Sequence, residues 1–120
     1  MNRALVTGAA GFLGSTLAEA LLDAGWDVVG IDAFTDNYPQ ARKRANVARA
    51  LTHPRFRLVE ADLRSAPIAP LLQGVTHVAH LAALPGVRMS WGEPFRDYAE
   101  HNVIATQRLL EALRLHPVER

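Results

Sequence analysis

The sequence predicts an α/β protein: a parallel sheet of about four strands in the spatial order 3-2-1-4, flanked by helices, the first part of a doubly wound fold. Three observations carry this expectation. Short apolar runs alternate with helical segments along the 120 residues. Each run is apolar on both faces, as strands covered by two helical layers are. Three of the eight glycines fall in Gly8–Gly14, where the first run gives way to the first helix. Crossovers between parallel strands are right-handed, which sets the strand order.

Taken in turn, Arg3–Thr7 is a short apolar strand that ends in the glycine turn. Phe12–Ala24 is a helix, with Leu13, Leu17, Ala20, Leu21 and Ala24 expected on its inner face and Gly25 as its stop. Asp27–Asp32 is a second buried strand. Pro39–Leu51 is a polar, arginine-rich helix with proline suited to its first turn. Phe56–Ala61 forms a third strand, Ile68–Leu72 a short helix or turn before Gly74, Thr76–Ala82 a fourth strand, and Asp97–Leu115 a long final helix. No repeat, linker or low-complexity tract interrupts this order, so the chain is one domain at most.

Composition excludes several classes. Lys+Arg of 13 against Asp+Glu of 12 leaves a net charge of +1, which gives no electrostatic case for nucleic acid or an anionic membrane. With no cysteine, a disulfide framework, a thiolate nucleophile and a thiolate metal site are all impossible. The start lacks a secretory pattern and no apolar run approaches the roughly 18 residues of a membrane span, so a cytoplasmic protein is expected. His77 and His80 lie three apart in a strand and face opposite ways, and His101 has no acidic companion at metal spacing. All five histidines are expected to be non-catalytic, and no metal site is expected.

The turn Thr7-Gly8-Ala9-Ala10-Gly11-Phe12-Leu13-Gly14 carries the chemistry. Backbone must come close to a diphosphate there, and a β-carbon at Gly8 or Gly11 would obstruct the turn or the ligand. The following helix offers free N–H groups and the positive end of its dipole to phosphate, while Gly14 lets it pack closely. The spacing is G-x-x-G-x-x-G, and the strand before, helix after and acid at the next strand end give it context. That acid, Asp32, stands 18 residues beyond Gly14. A carboxylate there accepts the adenosine ribose hydroxyls and repels a 2′-phosphate, favouring NAD over NADP; the alternative is a simple strand-end cap. Arg42, Lys43 and Arg44 are either a solvated helix face or cations for a 2′-phosphate.

These residues resemble the extended short-chain dehydrogenase/reductase family of Rossmann fold, and within it the nucleotide-sugar epimerases such as the UDP-glucuronate and UDP-glucose 4-epimerases. The likeness runs from Thr7–Gly14 and Asp32 through Asp36-Asn37-Tyr38 to Glu60-Ala61-Asp62-Leu63-Arg64. It continues with His80-Leu81-Ala82-Ala83-Leu84-Pro85-Gly86-Val87-Arg88-Met89-Ser90 and Asn102-Val103-Ile104-Ala105-Thr106. The resemblance implies NAD as cofactor, bound by Gly8, Gly11, Phe12, Leu13, Gly14 and Asp32. It implies that Asp62 and Leu63 flank the adenine, that Leu81, Ala82 and Ala83 pass the phosphates and nicotinamide ribose, and that Val87, Arg88 and Ser90 meet a nucleotide-diphosphate sugar. Taken alone, Asp62 also reads as a strand-end turn residue, Arg88 as solvated surface, and Leu81–Ala83 as buried strand, a reading that suits Leu81 better than the two alanines. Pro85 departs from the small or polar residues common at its position in the family. Asn102 shares a helical stripe with Tyr98, Ala105, Leu109 and Ala112, so it needs a partner: the cofactor, a backbone carbonyl beside it, or other protein groups.

The resemblance further implies a Ser or Thr on a fifth strand and a Tyr-x-x-x-Lys pair on the next helix, the lysine and ribose lowering the tyrosine pKa from about 10 so that it takes a sugar hydroxyl proton. Four residues after Tyr38 and Tyr98 stand Arg42 and Asn102, so no catalytic residue is assigned. The chain is thus expected to be the amino-terminal, NAD-binding part of such an enzyme, without its catalytic part and inactive alone. A non-enzymatic NAD-binding sensor or assembly module is the alternative. The fourth strand is expected to present a bare edge, and Val103, Thr106, Leu110 and Leu113 to form a second apolar row on the last helix, so that the chain pairs along its edge or forms the homodimer that the resemblance implies.

Overall fold

A computed structural model describes residues 1–120. Four strands, β1 (Arg3–Thr7), β2 (Asp27–Asp32), β3 (Phe56–Glu60) and β4 (His77–His80), form one sheet in the order β3-β2-β1-β4. All three pairings are parallel, with Leu5 opposite Val29 on one side and Val78 on the other. This is the expected order. β1 lies between two neighbours and under helices on both faces, so its period-2 alternation serves two cores. Leu5 packs with Ile31, Leu71 and Leu109 on one face, while Ala4 and Val6 pack with Ala18, Leu22 and Val28 on the other.

The helices are α1 (Phe12–Asp23), α2 (Gln40–Leu51), α3 (Phe95–Tyr98) and α4 (Ala105–Leu115), the last two joined by a π-helical segment, Ala99–Ile104, into a continuous helical path. A 3₁₀ turn at Ala69–Leu72 closes the lower edge of the first core. Along this path Ala105 and Leu109 are buried, as the expected stripe requires; of the second row, Val103 and Leu110 are exposed, while Leu113 packs against the first core and Thr106 turns inward to His80.

The inner face of α1 differs from expectation by one position. Gly14, Ser15, Ala18 and Leu22 face the sheet, while Leu13 is 65% exposed and Ala20 and Ala24 lie outside. Proximity is the reason. A β-carbon on Gly14 would stand 2.0 Å from the Gly8 carbonyl oxygen, so the helix start is pressed onto the turn and only small residues fit between them. Leu17 and Leu21 are displaced to the flank, where they still touch the second core.

β4 is shorter than expected because Thr7 draws its end away. The N–H groups of Leu81 and Ala82 both donate to the Thr7 hydroxyl, at 2.9 and 3.1 Å, instead of extending a ladder. Its outer edge is not bare either. The tail folds alongside: Val78 N–H donates to the Arg120 carbonyl at 2.9 Å and Glu119 N–H to the Thr76 carbonyl at 2.8 Å. The first half of the edge is therefore covered from within the chain, which removes the expected template for edge pairing there.

The corrected face of α1 leads to a clear contrast. Leu22→Ala should lower unfolding free energy by about 2–5 kcal/mol, as buried leucine truncations do, and Leu13→Ala should change it by no more than about 0.5 kcal/mol. Urea unfolding followed by circular dichroism measures both; equal effects would restore the leucine stripe.

Candidate functional site

At the carboxyl ends of the strands, where open α/β sheets place ligands, a cleft is lined by Gly8 and Gly11 of the first turn, Asp32 at the end of β2, and Asp62 and Leu63 after β3. Leu81, Ala82 and Ala83 after β4 complete it. Eight of the expected site residues thus share one wall system despite lying up to 75 positions apart in sequence.

The glycine turn is built by contact with neighbouring backbone. Gly8 adopts φ +68, and a β-carbon there would stand 2.9 Å from the Ala82 amide nitrogen. The obstruction is therefore the β4 end, and the glycine allows two strand ends to meet. Gly11 caps α1 without any side-chain hydrogen bond, leaving the amides of the first helical turn directed outward. Phe12 and Leu13, which contribute those amides, expose 75% and 65% of their side-chain-bearing surface.

Between these glycines the Ala10 peptide is held from both sides. Its N–H donates to Asp32 Oδ2 at 2.9 Å, and its carbonyl accepts Asn46 Nδ2 at 2.9 Å and the Tyr38 hydroxyl at 3.3 Å. Asp32 Oδ1 accepts Phe34 N–H at 2.8 Å. Asp32 thus stands at the mouth of the turn, and each oxygen keeps acceptor capacity toward the cleft. Phe34 takes a left-handed backbone, φ 52, unusual for a bulky residue. Its ring is buried against Ala10 and Val47, under the Arg44 guanidinium at 3.8 Å.

Lys43 corrects the expectation of a solvated basic face. It is only 4% exposed and lines the cleft. Nζ donates to the Thr35 carbonyl at 2.5 Å, the Thr35 hydroxyl at 3.1 Å and Asn37 Oδ1 at 2.8 Å, with the Tyr38 ring 4.8 Å away. Burial lowers its proton affinity, opposed by Asp32 and Asp36. Arg44 pairs with Glu60. Lys43 has no donor to spare, while Arg42 is exposed and makes no ion pair. Thr35, Asn37, Tyr38 and Lys43 were absent from the expected site; their one signal in the sequence was Asp36-Asn37-Tyr38 running into the sole lysine.

Asp62 lines the cleft, yet its carboxylate is taken up by Arg64: Oδ1 accepts the Arg64 amide at 2.9 Å, and Oδ2 accepts Nη2 at 2.7 Å, with Nε shared at 3.0–3.1 Å. Those hydrogen bonds hold it below the usual carboxylate range. Arg64 continues to Glu100 at 3.1 Å, and Arg108 binds the carbonyls of Leu63 and Ala66. Asn102, carried inward on the π segment, uses both ends of its amide on one residue: Oδ1 accepts Leu84 N–H at 2.7 Å and Nδ2 donates to the Leu84 carbonyl at 3.0 Å. Its partner is backbone beside the cleft. His101, expected to be idle, lines the cleft, and burial followed by Arg64 lowers its proton affinity. Val87, Arg88 and Ser90 form a 3₁₀ turn outside the cleft, Val87 and Arg88 exposed and Ser90 bonded to the Val87 carbonyl at 2.6 Å.

Comparison with known proteins supplies the context. Residues 4–120 match the model of the NAD dependent epimerase/dehydratase family. The chain is 50% identical over 116 residues to an uncharacterized UDP-glucose epimerase, YtcB, of Bacillus subtilis (strain 168), a match covering 96% of this chain and 37% of that protein. It superimposes with a TM-score of 0.90 at 44% identity on UDP-glucuronic acid 4-epimerase from Bacillus cereus in complex with UDP-glucuronic acid and NAD, covering 93% of this chain and 36% of that one. With DesIV, a dTDP-glucose 4,6-dehydratase from Streptomyces venezuelae with NAD and TYD bound, the TM-score is 0.81 at 34% identity, covering 98% and 37%. The chain spans little more than a third of the length of these relatives. No helix is long and apolar enough to cross a membrane.

The Asp62–Arg64 pair generates a pH test. A carboxyl held down in the folded state contributes stability above its ordinary value, about 3.9, and loses it as pH falls through the lowered one. Arg64→Ala should return Asp62 toward its ordinary range in a carboxyl-carbon NMR titration. It should also flatten the loss of stability below pH 4, by no more than about 1 kcal/mol for a pair this exposed. An unchanged titration would show that Arg64 is not the cause.

Proposed function

The chain belongs to the NAD dependent epimerase/dehydratase family, and from that membership we propose that it is the dinucleotide-binding part of a nucleotide-sugar 4-epimerase. One observation carries the assignment: the Asp32 carboxylate is hydrogen-bonded to the Ala10 amide inside the glycine turn, so an acid for ribose and amides for a diphosphate stand side by side. The residues present fit NAD. The uncapped start of α1, with Gly8, Gly11 and the amides of Phe12, Leu13 and Gly14, holds the diphosphate. Asp32 accepts the adenosine hydroxyls with its remaining lone pairs and disfavours a 2′-phosphate. Asp62 and Leu63 bound the adenine end, the Asp62 carboxylate held by Arg64. Leu81–Ala83 form the opposite wall, and Asn102 fixes that wall through Leu84.

When bound, NAD supplies a reversible hydride acceptor. The chain's own contribution is binding and orientation, since no tyrosine here has a lysine four residues on. For the whole protein we assign C4 epimerisation of a UDP-sugar by transient oxidation, with Val87, Arg88 and Ser90 reaching the sugar nucleotide. The Leu84–Ser90 segment and the 4-epimerases among the relatives support it. A cytoplasmic homodimer, using the exposed Val103 and Leu110, completes the assignment. No observation favours a sensor without catalysis.

Isothermal titration of the chain should give saturable binding of NAD and at least tenfold weaker binding of NADP, a difference of about 1.4 kcal/mol. Asp32→Asn should weaken NAD binding tenfold or more, because one amide cannot replace both carboxylate acceptors. Equal affinity for NADP would overturn the role of Asp32. The chain mixed with NAD and UDP-glucuronic acid should show no epimerisation by chromatography.

A further inference from the structure

His80 sits at the end of β4, half-buried between the glycine turn and the last helix. Nδ1 lies 2.7 Å from the Thr7 hydroxyl oxygen and Nε2 lies 2.8 Å from that of Thr106. Which ring nitrogen carries the proton follows from the fixed groups at each end. Thr7 Oγ1 accepts the N–H groups of Leu81 and Ala82, and an amide can only donate. Both lone pairs of that oxygen are thereby engaged. Its single proton must then go to His80 Nδ1, which must be bare. At the other end the Thr106 hydroxyl lies 2.7 Å from the Asn102 carbonyl, which can only accept, so Thr106 donates there and receives from His80 Nε2–H. One arrangement satisfies every member: Asn102 carbonyl, Thr106, neutral His80, Thr7, then the amides of Leu81 and Ala82.

We propose that His80 is a positioning residue, held as the neutral Nε2–H tautomer, which fixes the Leu81–Ala83 loop against the glycine turn through Thr7. Resting on the assignment of that loop as a cofactor wall, it follows that the wall keeps its place only while His80 is unprotonated. A second proton would place Nδ1–H against a hydroxyl oxygen with no lone pair left. Either the Thr7 hydroxyl gives up one of the loop amides, or the ring leaves its partner.

The charged and titratable groups on the elements around it are Arg3 on β1, His77 on β4, Glu100 and His101 on the π segment, Arg108, Glu111 and Arg114 on α4, and His116, Glu119 and Arg120 in the tail. None contributes to its titration; burial alone lowers its proton affinity. For a base held neutral by the fold, the unfolded chain takes up a proton near the ordinary value of about 6.5 and the folded one only below it. Stability is therefore lost as pH falls through that interval.

The test is ring-nitrogen NMR of the chain, read together with protection of the Leu81 and Ala82 amides against hydrogen exchange. At neutral pH, Nε2 should be protonated and Nδ1 bare. On acidification, both amides should lose at least tenfold of their protection in the same step that protonates His80, and NAD affinity should fall at least tenfold with them. His80→Asn, which keeps an acceptor for the Thr7 hydroxyl and does not titrate, should hold that protection through the step. His80→Gln, which reaches Thr106 but offers Thr7 no acceptor, should lack it at every pH. An Nδ1–H tautomer, or amides that stay protected after the ring is protonated, would overturn the proposal. If NAD binds at no pH, the cofactor assignment fails while the amide readout still decides the role of His80.

Discussion

The contact between the start of α1 and the carbonyl of Gly8 is the constraint on which the rest of the molecule depends. With no β-carbon at Gly14, the helix begins on top of the turn that precedes it, and its first amides arrive where the strands end. That proximity selects Ser15 and Ala18 for the inner face and displaces the larger leucines to the flank. The missing β-carbon at Gly8, in turn, lets the end of β4 approach closely enough for one threonine hydroxyl to gather two amides of the neighbouring loop. Ordered backbone amides converge on the cleft because the turn is tight, and the tightness is a matter of three missing side chains.

Much of this was legible in the sequence, because the signals were local and periodic. Apolar runs of strand length, glycines at the first turn and an acid closing the second strand all report on residues near one another in the chain. The strand order then follows from handedness. The stripe through Ala105 and Leu109 was legible for the same reason: helix period and burial agree there.

What was not legible depends on groups brought together from distant positions. Hydrophobicity names Leu13 as an inner residue, but the choice at that surface is made by size, and size matters only because of a backbone oxygen five positions earlier. Lys43 belongs to a run of charge that composition assigns to solvent; its burial comes from acceptors on a loop that folds over it. Asp62 carries the expected carboxylate, yet an arginine two residues on takes it up. The π segment that carries Asn102 beside Leu84 has no sequence signature of its own. The tail that pairs with β4 meets residues about 40 positions earlier, beyond the reach of a local signal.

Phe34 shows how such a site is kept in shape. An asparagine or glycine would occupy its left-handed dihedrals at lower torsional cost, about 1–2 kcal/mol less for each residue so placed. Neither would fill the space against Ala10 and Val47. The bend after β2 is therefore held open by an aromatic ring seated in apolar surroundings and not by any turn preference of its own residues. The carboxylate that reaches the glycine turn is aimed, in the end, by van der Waals packing against Ala10 and Val47.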